Sequence, residues 1–367
     1  MLPARPCRRS VRPANGVRHG VRVKQASLPH IAVVGAGSVG CYIGGRLQEH
    51  ARLTFVGRPA LAAAVASHGM ELSDLGGYRR HLEPGAVTFR TNLRDIADAD
   101  LVLITVKSGA TAAIALELNA ALTRPTVVLS LQNGLRNADV LRRHLPAHVV
   151  LAGMVPFNVV QSPPAAFHQG SSGLLTAQAD ARLAPFLDAF RLAGLPLTLR
   201  EDMPAVLRAK LLLNLNNVIN ALSDLPLRDE LSQRAWRRCL ALAQAEALRI
   251  FAAANLPVAR LTPIPTGWMP ALLRLPDRWF QWAAARMLAI DPLARSSTWE
   301  DLRAGRPTEV DVIQGEVIAM AAEQGLKAPV NARLLELIRE AERRRVVITG
   351  EELLRQLTAA AGRDQET

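Results

Sequence analysis

The stretch Ile31-Ala32-Val33-Val34-Gly35-Ala36-Gly37-Ser38-Val39-Gly40 decides the fold. Its first four residues are an apolar run of the kind found in parallel strands buried on both faces. Residues 38–48 carry on as a helix, and a second apolar run, Leu53 to Val56, follows at the distance a βαβ unit requires. The glycines between strand and helix have separate tasks. Gly35 permits a tight turn, Gly37 lets the backbone approach a pyrophosphate, and Gly40 lets helix and strand pack closely. The free N–H groups and the dipole of the helix then favour a negative charge at residues 35–40. In this context the turn predicts a bound dinucleotide, held by Gly35, Ala36, Gly37, Ser38, Val39 and Gly40.

The end of the second strand separates the two nicotinamide dinucleotides. An Asp or Glu there would accept hydrogen bonds from the ribose hydroxyls and repel a 2′-phosphate. The chain has Gly57-Arg58 instead. A guanidinium makes forked, charge-assisted contacts to phosphate, so Arg58 favours NADP(H).

Outward from this unit, residues 30–200 alternate strands and helices: strands at 101–106, 126–131, 149–153 and 196–200, and a hairpin around Gly76-Gly77 within 71–90. Residues 154–176 are expected to finish the sheet with less regular strands. Such alternation predicts an α/β fold with a doubly wound parallel sheet. From 202 onward the pattern changes to long amphipathic helices, expected at 204–222, 230–254, 308–324 and 331–345. The expected organisation is thus a basic extension at 1–28, a dinucleotide-binding Rossmann domain at 29–200, an all-helical substrate domain at 201–350 and a tail at 351–367.

The 367 residues suffice for two cores, and 49% of them are hydrophobic. No apolar run is long enough to span a bilayer. Three scattered cysteines indicate neither a disulfide framework nor a zinc site, and Pro146 between His144 and His148 weakens a two-histidine helical metal site. A reduced, cytoplasmic, metal-free protein is expected. Of the net charge of +12, residues 1–28 supply +7, from six arginines and one lysine with no acid. A transit peptide, a nucleic-acid-binding arm and an upstream translation start compete there, and a disordered or artefactual extension is favoured. Aromatic residues make up only 4% and no basic stripe interleaves with them, which argues against a nucleic-acid partner. The proline-punctuated apolar stretch 257–292 suits packing, an interface or a lid, and leaves a homodimer among the candidate assemblies.

Candidate chemistry lies at strand ends and on one helix. Lys107 and Asn133 each follow a strand of the parallel sheet, and ligands bind beyond the carboxyl ends of such strands. The helix starting near Pro204 holds Asn214, Asn216, Asn217 and Asn220, poor helix formers in a leucine-rich segment. On it Lys210, Asn214 and Asn217 fall within a sector of roughly 60°. One cation and two amides on a stripe suit a polar ligand. In Ser296-Ser297-Thr298-Trp299-Glu300-Asp301-Leu302-Arg303 and Arg306-Pro307-Thr308-Glu309-Val310-Asp311, Thr308 can cap a helix, whereas Ser297 and Glu309 need a reason beyond capping.

Together these motifs resemble the 2-dehydropantoate 2-reductase (ketopantoate reductase) family over residues 30–345. The resemblance implies reduction of ketopantoate to (R)-pantoate by NADPH, on the route to pantothenate and coenzyme A, in a cleft between the two domains. It implies Lys210 as general acid, Asn214 and Ser297 as substrate contacts, and Asn133 as a contact to both cofactor and substrate. Glu309 would sit near the nicotinamide ribose, and Arg58 and Lys107 would hold the NADP half. Three positions depart from the family pattern: Val218 for a second helix asparagine, with Asn217 and Asn220 as its substitutes, Gln314 for an asparagine and Thr298 for a methionine. Another 2-keto acid as substrate, or a non-catalytic NADPH-binding sensor, are the alternatives. A sensor would need no proton donor.

Overall fold

The computed structural model of the chain describes residues 28–283, 291, 294–344 and 346–362. The expectation for the basic extension falls almost wholly outside these residues, as does part of that for 257–292.

Among the described residues, twelve strands form two sheets: β1 (His30–Val34), β2 (Arg52–Val56), β3 (Met70–Asp74), β4 (Arg79–Leu82), β5 (Phe89–Arg90), β6 (Leu101–Ile104), β7 (Val127–Ser130), β8 (Val149–Met154), β9 (Val159–Ser162), β10 (Ala166–Gln169), β11 (Leu175–Gln178) and β12 (Leu197–Arg200). The main sheet has the order β12-β11-β8-β7-β6-β1-β2-β5. It is parallel except where β11 runs against β8. Strands β1, β6 and β7 are fully buried, as their unbroken apolar runs require. Strand order reverses at β1, which has β2 on one side and β6 on the other. That switch point opens a crevice where the glycine turn lies.

The hairpin expected in 71–90 is β3–β4, and Phe89–Arg90 is a separate edge strand beside β2. The structure revises the reading of 154–176. Only β11 rejoins the main sheet, whereas β9 and β10 join β3 and β4 in a second sheet of order β4-β3-β10-β9. Helix Ser38–Leu47 is sandwiched between the sheets, its Tyr42, Ile43 and Leu47 packing with Met70, Leu72 and Phe167 in one core. The small sheet therefore braces the helix that presents its N-terminus to the cleft.

Among the described residues from 203 onward every regular element is a helix, and these helices have their own core, centred on helix Arg234–Ala253. The expected helix 204–222 is two helices, Met203–Asn214 and Asn216–Ser223, separated at Leu215. Buried side-chain amides satisfy carbonyls at the break: Gln244 donates to Leu212 O and Gln314 to Leu215 O, both at 3.1 Å. Gln314, a departure from the family pattern, thus has a structural task. Thr308 caps nothing: its hydroxyl donates to Glu342 at 2.7 Å, and the helix expected from 308 starts at Gln314. The expected tail also changes character, because Gly350–Gly362 is a helix burying Leu353 and Leu357 in the same core. No described helix is long and apolar enough to cross a membrane.

Candidate active site

The glycines of the turn differ in their surroundings, and the expectation that Gly40 holds the cofactor is corrected. Gly35 has φ +89°, and a Cβ there would lie 2.5 Å from Val106. A Cβ on Gly40 would meet Thr105 Oγ1 at 2.4 Å and Val33 at 2.9 Å, so this glycine serves packing and does not line the cleft. A Cβ on Gly37 would meet nothing closer than 3.9 Å, leaving open space where a phosphate group can approach the backbone. Gly37 is also the N-cap of helix Ser38–Leu47, and no side chain caps that end. Free N–H groups and an open cradle are what a pyrophosphate needs. At the end of β2, exposed Arg58 lines the same cleft, and its guanidinium makes no hydrogen bond or ion pair with any described residue. The residues fit NADP(H).

One continuous cleft of about 590 Å³ runs from this turn to the helical part of the chain. Lys210, Asn214, Asn217 and Ser297 all line it, so the helix break leaves the predicted stripe intact. Asn214 Nδ2 donates to Asn133 Oδ1 at 3.2 Å, across the cleft. Asn217 Nδ2 reaches Ser297 Oγ at 3.5 Å. Lys210 is half-buried, with no counter-charge among the described residues, and burial lowers its ammonium to about 8. A lysine in this state remains charged at neutral pH and gives up its proton more readily than a free one.

Asn220 belongs elsewhere. It lies on helix Asn216–Ser223, beyond the break, and it is fully buried. Its Nδ2 donates to Glu230 Oε2 at 2.8 Å and to Leu225 O, and its Oδ1 accepts from Ser296 N–H at 2.8 Å. The expectation that it contacts substrate is corrected: it is a buried tie between helices. Val218 is fully buried too, which leaves Asn217 as the second amide facing the cleft.

Lys107 and Glu309 are already engaged. Lys107 Nζ lies 2.7 Å from Asp301 and donates to Pro307 O at 2.8 Å. Glu309 accepts from the Ser108 N–H and hydroxyl at 3.1 and 3.2 Å, and from Asn133 Nδ2 at 3.0 Å. Both residues therefore latch the sheet to the helical part, and Glu309 also holds Asn133 in place. Sequence reasoning missed Asp301, which also pairs with Arg306 at 3.1 Å, and Glu300 and Arg306, which line the cleft. The available signal was helical spacing, since 300 and 301 are three and four residues after Ser297 and share its face.

Known proteins resemble this chain along most of its length. Residues 31–181 match the family model described as "Ketopantoate reductase PanE/ApbA", and residues 202–342 match its C-terminal companion. The chain is 29% identical to a 2-dehydropantoate 2-reductase of Halobacterium salinarum, over 85% of this chain and 99% of that protein. A crystal structure of a PanE/ApbA family ketopantoate reductase from Ralstonia eutropha superposes with a TM-score of 0.73 at 27% identity, covering 86% of this chain and 98% of the other. A ternary structure of D-mandelate dehydrogenase with NADH shares the fold at a TM-score of 0.71 and 18% identity, covering 86% and 98%.

Proposed function

From the premise that this chain belongs to the ketopantoate reductase PanE/ApbA family, we propose that it reduces 2-dehydropantoate to (R)-pantoate with NADPH. The observation that carries this reading is Lys210 standing with Asn214, Asn217 and Ser297 in the cleft that the glycine turn opens. NADPH supplies the hydride when bound. Hydride arrival at the 2-keto carbon builds negative charge on the carbonyl oxygen. The Lys210 ammonium is placed to stabilise that charge and to hand it a proton, a contribution of about two to four powers of ten. Asn214, held by Asn133, orients the oxygen. Ser297 and Asn217 offer neutral donors to the substrate at fixed positions. Holding both reactants in one cleft removes much of the entropic barrier.

The unpaired Arg58 supports selection of the 2′-phosphate. As the assembly we propose a homodimer, supported by Trp268, Trp279 and Trp282, which are 71%, 54% and 81% exposed within residues 266–283. Aromatic surface of this kind is concentrated at interfaces, and light scattering in solution reads the particle mass. The test of function is NADPH oxidation, followed by absorbance, with ketopantoate beside pyruvate and 2-ketoisovalerate. Fast and selective turnover of ketopantoate is expected. Preference for another keto acid would retain the reaction and replace the substrate, whereas tight NADPH binding without turnover would replace the reaction.

A further inference from the structure

Helix Ser297–Arg303 has two working sides. On one, Trp299 Nε1 donates to Asp224 at 2.7 Å and Arg303 lies 3.8 Å from the same carboxylate, which fixes this side against the end of helix Asn216–Ser223. On the other, Ser297, Glu300 and Asp301 line the cleft. Asp301 is committed to Lys107 and Arg306, and Ser297 reaches Asn217. Glu300 is committed to nothing: its carboxyl makes no hydrogen bond or ion pair with any described residue.

An unpaired carboxylate in such a place opposes its ligands. The cleft has to admit an anionic keto acid beside an anionic dinucleotide, and a like charge there costs affinity. A neutral carboxylic acid carries no such penalty and has a proton to donate. Resting on the keto-acid reading above, we propose that Glu300 acts as a neutral carboxylic acid, donating a hydrogen bond to the carboxylate of the bound 2-keto acid, so that its ionisation weakens substrate binding.

The surroundings favour the neutral form. Burial raises the Glu300 carboxyl, Arg306 opposes the rise and Asp301 adds to it, which together leave it at about 7. The other charged groups on this cleft are Lys107 and Arg58 from the sheet side, Glu309 from the loop that follows, and Lys210 from helix Met203–Asn214. Lys107 and Glu309 are neutralised or hydrogen-bonded within the latch. Arg303 and Asp224 face the opposite side of the helix.

The test is the KM for ketopantoate at saturating NADPH from about pH 6 to about pH 8.5, in the full chain and in Glu300→Gln. In the wild type, KM is expected to rise as the pH passes about 7, approaching tenfold per pH unit. The glutamine variant keeps a donor that cannot ionise, so its KM is expected to stay flat to about pH 8. The fall in kcat from Lys210 should persist in both. A flat wild-type KM, or a rise retained in the variant, overturns the proposal. A second measurement needs no variant. Calorimetric binding of oxamate, an unreactive anionic analogue, to the NADPH complex at about pH 7 in two buffers should show proton uptake, and none would overturn the proposal. Absence of ketopantoate turnover at about pH 6 would count against the substrate, while the oxamate measurement would still judge Glu300.

Discussion

Asn214 and Asn133 meet across the cleft at 3.2 Å, the amide of a helix donating to the side-chain oxygen of a residue that follows β7. Asn133 in turn donates to Glu309 at 3.0 Å. Three segments far apart in sequence thus fix one another at the wall of the cleft, and Lys210 stands one helical turn from Asn214.

Lys210→Ala should lower kcat at least about a hundredfold and leave NADPH affinity nearly unchanged, because it removes a proton donor and no cofactor contact. The pH dependence has a definite sign. Only the ammonium donates, and burial lowers it to about 8. Turnover should therefore be full below that pH and fall about tenfold per unit above it. Steady-state kinetics of both proteins checks this. Turnover near wild type in the variant would remove Lys210 from the reaction.

Arg58→Ala should raise the KM for NADPH at least about tenfold and barely change that for NADH, since a guanidinium–phosphate pair is a strong charge-assisted contact. Side-by-side kinetics with the two cofactors decides. Equal changes would mean that Arg58 does not read the 2′-phosphate.

The glycines of the turn should separate binding from stability. Gly37→Ala places a methyl group in open space, so the melting temperature should hold while the Kd for NADPH rises. Gly40→Ala drives a methyl group to 2.4 Å from Thr105 Oγ1 and should cost about 1–3 kcal/mol of stability. Denaturant unfolding and fluorescence titration of NADPH read the two effects. Loss of stability in both variants would show that the cradle at Gly37 is not open.

Two of the amides beyond the helix break, Asn217 and Asn220, should behave oppositely. Asn220→Ala leaves Glu230 and the Ser296 N–H short of partners in a buried site and should cost about 1–3 kcal/mol. Asn217→Ala should raise the KM for the keto acid with little change in unfolding. If Asn220→Ala alters KM and spares stability, its assignment as a structural tie is wrong.

Much of the architecture is legible along the chain because its determinants are local. An apolar run of four, a glycine with its φ in the left-handed region and a helix start lie within ten residues, and together they specify both a βαβ unit and the place of an anion. The stripe of Lys210, Asn214 and Asn217 is legible for the same reason, since helical period alone brings it to one face. The second sheet is not, because β3 pairs with β10 across almost a hundred residues and neither strand's pattern names its partner. Asn220 misleads for a related reason. Amide composition marks it as costly in a helix, but whether the partner is a substrate or a buried carboxyl depends on where helix Leu227–Ser232 packs.

What the sequence by itself determined is the strand, glycine turn and helix of the first βαβ unit, the helical change of character after residue 202 and the cation on the asparagine stripe, all of them set by neighbours within a few turns. Only the tertiary structure decided that Lys107 and Glu309 latch the cleft, that Gln314 and Gln244 satisfy the broken helix, and that Glu300 stands unpaired beside Ser297. Those outcomes turn on which distant group fills each hydrogen-bonding position, and burial settles that only when the elements dock.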